Sequence, residues 1–181
     1  MTKKTTTAIQ QRKGLHRLTV NAVLIALALT LSILERWIPL GLLVPIPGIK
    51  LGLANVVTLY ALMRLRPLDA WIILVARNLF MGAVSGLTTF LFSLTGGALA
   101  LLTMWLLCRL EGRVVSLVGI SIAGAALHNI GQVTVASFLL SEPLLFLTYL
   151  PPLLLTGLLT GLLTGLAAWP VIRSLPVRPA L

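Results

Sequence analysis

Nine residues, Gly124-Ala-Ala-Leu-His-Asn-Ile-Gly-Gln132, set an imidazole and two primary amides inside a long, mostly apolar run from Val114 to Leu140. On a helix Gly124, His128 and Gln132 recur every fourth residue and share one face. Polar groups in a bilayer core are costly, so they turn toward a bundle interior, a cavity or one another. Two uses are open: interhelical hydrogen bonds that hold helices together, or contacts to a ligand. Three polar residues in five positions exceed what packing requires, which favours the ligand.

Arg77-Asn78 is the second such place. Arginine stays protonated in a protein, and Glu35 is the one acid placed to pair with it. Arg77 is therefore half of a structural pair, a cap on broken-helix carbonyls, or a clamp for an anion or carbonyl. Intramembrane charge is usually functional, and a guanidinium offers forked donors. With Asn55, Asn78, His128, Asn129 and Gln132, it suits a small molecule carrying a carboxylate, phosphate or quinone carbonyl.

Catalysis finds little to work with. The chain has four acids, Glu35, Asp69, Glu111 and Glu142, and they are dispersed. Prenyl-diphosphate chemistry needs clustered carboxylates to hold Mg²⁺. No Gly-x-x-x-x-Gly-Lys loop is present to cradle a nucleotide. His128 is separated from the other histidine, His16, which lies in the N-terminal tail. One cysteine, Cys108, excludes a disulfide framework and a cysteine-only metal site. The expectation is a binding protein without catalytic residues, cofactor or metal, and not an enzyme.

The elements that position these residues are membrane spans. Of 181 residues, 58% are hydrophobic and 10% charged, and mean hydropathy is +1.04. Soluble domains carry about 25% charged residues. At roughly 20 residues per span, the length allows about six helices. The fold class expected is an all-α integral membrane protein of six transmembrane helices, multi-pass in the cytoplasmic (inner) membrane. Residues 1–17 form a basic cytoplasmic tail, 18–173 a single membrane domain and 174–181 a second cytoplasmic tail. The net charge of +10 lies at span ends, so the partner it implies is membrane lipid and not nucleic acid.

The first span is expected over Leu18–Leu40, with small residues Ala22, Ala26 and Thr30 on one stripe. The stretch Pro39–Gly48 is irregular, because its prolines and glycines forbid a regular helix. A short second span opens at Lys50 and ends at Arg64 and Arg66, with Asp69 capping the next helix. The third runs over Ala70–Leu94, a turn follows at Thr95-Gly96-Gly97, and the fourth covers Ala98–Cys108. The fifth carries the central motif and ends at Ser141-Glu142-Pro143. The segment from Leu144 to Leu150 is an interfacial turn, and the sixth span runs from Pro151 to Arg173. Gly157, Gly161 and Gly165 form a packing surface, directed inside the chain or at a partner.

With six spans and the N-terminus inside, eleven Lys and Arg residues fall on the cytoplasmic side and two, Arg36 and Lys50, outside. That bias puts both termini in the cytoplasm. Arg77 then lies roughly 12 Å along its helix from Asp69. Asn55, Arg77, Asn78, His128, Asn129 and Gln132 converge between the midplane and the outer face, as one site beneath the proline-rich loop.

Three segments, Lys50-Leu-Gly-Leu-Ala-Asn-Val-Val-Thr-Leu, Arg77-Asn78 and His128-Asn-Ile-Gly-Gln132, together resemble the Gx transporter family, often labelled heptaprenyl diphosphate synthase component I. The resemblance covers about Leu18 to Arg173. It extends more distantly to the substrate-binding S components of energy-coupling-factor (ECF) vitamin transporters. It implies a six-helix bundle with both termini inside and an outward-facing pocket lidded by the first loop. It also implies that Ala22 and Ala26 dock on a membrane coupling subunit served by ATPases. An alternative is a non-catalytic membrane subunit linked to prenyl-diphosphate or quinone biosynthesis, or to quinone-dependent electron transfer.

Overall fold

Proline and glycine punctuate this chain, and the computed structural model shows where each break is made. It describes residues 3–37 and 53–174. Among them the helices are, in order, α1 (Lys3–Trp37), α2 (Leu53–Arg64), α3 (Pro67–Ser85), α4 (Leu87–Cys108), α5 (Leu117–Leu140), the one-turn α6 (Leu145–Thr148) and α7 (Leu150–Ser174). Five are long and apolar enough to cross a membrane: α1 over Gly14–Glu35, then α3, α4, α5 and α7. The chain is a helical, multi-pass membrane protein. Helix α2 has 12 residues and rises roughly 18 Å, less than a ~30 Å hydrocarbon core. The expected start of that segment at Lys50 and the proline-rich stretch 39–48 lie outside the described residues.

The helix boundaries have local causes. Arg66 is extended, at φ −81° and ψ 148°, as the residue before a proline prefers. Pro67 then opens α3, where a missing N–H costs nothing. Asp69 caps this helix as expected, from its third position: the carboxylate reaches back and accepts from the Arg66 backbone N–H at 3.2 Å. Ser116 caps α5 through its hydroxyl, which accepts from Gly119 N–H at 3.1 Å. Ser141 closes α5 in a left-handed conformation, φ 54°.

The hairpin between α3 and α4 differs from the sequence expectation. The turn is made at Gly86, whose φ of +92° is open to glycine and costly for other residues. Gly96 and Gly97 lie in the middle of α4 and are buried. Adjacent glycines ordinarily signal a turn; here they remove side chains where neighbouring helices come close. The tail expected over residues 1–17 is likewise helical from Lys3 and continuous with the first span.

Helix α5 packs between α4 and α7. Toward α4, a Cβ on Gly124 would meet the Met104 side chain at 2.7 Å, and one on Gly131 would meet the Gly96 Cα at 2.9 Å. Toward α7, Gly161 faces the Ile122 Cα and Gly165 faces the Val118 Cα, at 2.8 and 2.9 Å from the corresponding Cβ positions. The glycine ladder of α7 is therefore an internal surface, seated on α5. An apolar core of Leu59, Ile73, Leu74, Leu101, Ile120, Ala168 and their neighbours joins α1 to α5 and α7.

Contacts between helix ends define one basic end of the bundle. Arg17 of α1 reaches Asp69 at the start of α3. The Cys108 thiol at the end of α4 approaches the Met63 sulfur of α2 at 3.2 Å. Arg64, at the end of α2, donates to the Ile172 carbonyl in the last turn of α7. That carbonyl is one of the four a helix C-terminus leaves without an intrahelical donor. Arg17, Arg64, Arg66, Arg109, Arg113 and Arg173 all cluster at this end.

Candidate functional site

Helix α3 carries its polar pair deep in the packing. Arg77 is 7% exposed and Asn78 1%, although each has exposed apolar neighbours along the helix. They lie eight and nine residues beyond Asp69, roughly 12–14 Å from the basic end. Consecutive residues on a helix point about 100° apart, and this pair serves different neighbours. Arg77 lies in the electrostatic field of Glu35, an 8% exposed carboxylate near the end of α1. Asn78 turns to α4, where its amide donates to the Ser93 carbonyl at 3.3 Å.

The Gly96-Gly97 notch of α4 receives side chains from both flanking helices. A Cβ on Gly97 would meet Leu74 at 2.6 Å and the Asn78 amide nitrogen at 3.6 Å. One on Gly96 would meet the His128 carbonyl at 2.7 Å, Gln132 Cγ at 3.0 Å and His128 Nδ1 at 3.1 Å. Asn78 of α3 and the His128–Gln132 face of α5 thus meet adjoining faces of one stretch of bare backbone. The four-residue spacing of His128 and Gln132 does place them on one face, as expected.

Asn129 points elsewhere. Its amide donates to the Leu153 carbonyl of α7 at 2.5 Å, and its nitrogen fills the space a Cβ on Gly157 would need. It joins α5 to α7, which is the interhelical use left open for this motif. Asn55 stands half-buried in the first turn of α2. Ala22 and Ala26 are both exposed, on the face of α1 opposite Leu24 and Ala28.

The structure therefore divides the expected ligand-facing residues into four places: Arg77 toward Glu35, Asn78 with His128 and Gln132 around the α4 notch, Asn129 at α7, and Asn55 in the first turn of α2. The notch itself was not legible as part of a site, since its two glycines read as a turn. Asn21 was also missed; it is buried and donates to Asp69 at 2.7 Å. An amide in the first apolar turns of a long helix was its only signal. Among the described residues no group of three His, Cys, Asp or Glu side chains gathers to hold a metal.

A family model described as heptaprenyl diphosphate synthase component I matches residues 24–170. The chain belongs to this family. The match takes in the C-terminal part of α1, α2 through α6 and most of α7, so Asn55, Arg77, Asn78, His128, Asn129 and Gln132 all lie within the family's span. No characterised protein and no solved structure gives a significant match.

Proposed function

We propose that this family member is a non-catalytic membrane protein that binds a small molecule among α1 to α5, in the manner of an ECF-transporter S component. The observation that carries the proposal is the burial of Arg77 beside Asn78, halfway along a membrane-spanning helix. A guanidinium there supplies forked donors in surroundings where an acceptor-bearing ligand would compensate its lost hydration. Gln132 and His128 would add donors from α5, and Asn55 from α2, while Asn129 holds α5 in register with α7. The ligand class is an anion or a quinone-like carbonyl compound. Exposed Ala22 and Ala26 supply the close-approach face that a coupling subunit with its ATPases would need.

Orientation and location are part of the proposal. The basic end faces the cytoplasm of a cell whose inner membrane holds the protein, in line with the positive-inside bias. Both termini then lie inside, with the short α2 counted as the sixth span.

A second reading follows from the family's name. The chain would be a membrane subunit accompanying prenyl-diphosphate synthesis or quinone metabolism, with Arg77 holding a diphosphate or carbonyl. Its acids support a non-catalytic part in that case too, since Asp69 is engaged by Arg17 and Asn21.

The test is extraction and mass spectrometry of small molecules carried by gently purified protein. Wild type should retain an acceptor-bearing compound in near-stoichiometric amount, and Arg77→Ala should lose it at unchanged melting temperature. Isoprenoid diphosphate in the extract selects the second reading. Protein free of any such compound, from cells and membranes alike, overturns both.

A further inference from the structure

Two arginines at the basic end are held in the same way. Arg109, immediately after α4, lies over the Trp105 ring at 4.5 Å, and Arg173, in the last turn of α7, lies over Trp169 at 4.6 Å. Each pair is spaced by four residues at a helix C-terminus, where a cation also meets the negative end of the helix dipole. A guanidinium laid on an indole face keeps its N–H edge free and loses much of its rotamer freedom. Its fork of donors is thus oriented before any anion arrives.

The last turn of α2 separates the two pairs. It touches the end of α4 through Met63 and Cys108, and the end of α7 through Arg64 and Ile172. Neighbouring helices are about 8–10 Å apart, so the two stacked guanidiniums serve two different anions. Charge at this end favours anions as well. Arg64, Arg66 and Arg113 are close by in sequence or contact; Asp69 is taken up by Arg17 and Asn21, and Glu111 is exposed in the turn after α4. Tryptophan at a span end sits at headgroup depth.

We propose that Trp105–Arg109 and Trp169–Arg173 are two seats for the phosphodiesters of anionic phospholipids in the leaflet at this end. In each seat the guanidinium donates its N–H groups to phosphate oxygens, and the indole lies against the glycerol and upper acyl chain. A diffuse positive potential would enrich anionic lipid without fixing it. Stacking turns enrichment into occupancy, because the donors are already aimed.

The test is native mass spectrometry of the full chain released from nanodiscs of equal phosphatidylglycerol and phosphatidylcholine. Wild type should retain phosphatidylglycerol selectively, with up to two molecules bound. Arg109→Gln and Arg173→Gln should each remove one, with affinity at that seat falling roughly tenfold or more, the scale of a lost charge-assisted hydrogen bond. Arg109→Lys keeps the charge but not the fork, and should lose the lipid as well. Arg113→Gln changes the same net charge at an unstacked position and should leave both molecules in place. All these side chains are exposed, so folding is not at stake, and melting temperatures check that. Full retention by Arg109→Lys, equal loss in Arg113→Gln, or no preference over phosphatidylcholine would each overturn the two seats.

Discussion

Gly96 of α4 and Gly131 of α5 face each other so closely that a Cβ on Gly131 would lie 2.9 Å from the Gly96 Cα. The two backbones meet there without intervening side chains, one turn from the imidazole and amide of His128 and Gln132. Packing of α4 on α5 and placement of the polar face are the same event.

Gly96→Ala should therefore destabilise the bundle. Alanine gains about 1 kcal/mol over glycine inside a helix, but its methyl would strike the His128 carbonyl, and overpacking costs about 1–3 kcal/mol. Unfolding in mixed micelles should show a net loss for Gly96→Ala. Gly14→Ala, where nothing lies within 4 Å of the added carbon, should be neutral or stabilising. Equal gains in both variants would mean that α4 and α5 are not in close contact.

The Asp69 carboxylate is 2% exposed and accepts from Arg17 Nε and Asn21 Nδ2, each at 2.7 Å. Asp69→Ala strands a buried amide and should cost about 2–4 kcal/mol. Arg17 is more than a third exposed, so solvent screens its share, and Arg17→Ala should cost at most about 1 kcal/mol. Denaturant titration of both variants checks the order. The reverse order would place the weight on the ion pair and not on the buried hydrogen bonds.

For the ligand, Arg77→Ala should weaken binding by at least about 1.5–3 kcal/mol, the scale of hydrogen bonds to a charged group. Gln132→Ala should weaken it less. Asn129→Ala should mainly lower stability, because its amide is engaged with Leu153. Affinity for the extracted compound and melting temperature, measured on the same preparations, separate the two effects. Loss of stability without loss of affinity in Arg77→Ala would make the arginine a structural residue.

Ala26 is exposed on α1, so Ala26→Leu should fold and melt as wild type does. If its stripe docks a coupling subunit, the added volume should abolish co-purification with that subunit, since close helix approach tolerates no larger side chain. Undiminished co-purification would remove the docking role.

Composition and local chemistry determined much of this protein. Apolar runs of 20 or so residues read as membrane helices, Asp69 was legible as a cap for the helix after Pro67, and four dispersed acids leave no carboxylate cluster to read. The i, i+4 spacing likewise put His128 and Gln132 on one face. What tertiary structure decided were the questions in which one local signal had two physical uses. Glycine lowers the cost of a turn and also lets two helices touch; a positive φ assigned Gly86 to the turn, while neighbouring backbones assigned Gly96, Gly97 and the α7 ladder to packing. An intramembrane amide bonds a helix or a ligand with the same atoms. Only the position of α7 sent Asn129 to a carbonyl while its neighbour His128 faced α4.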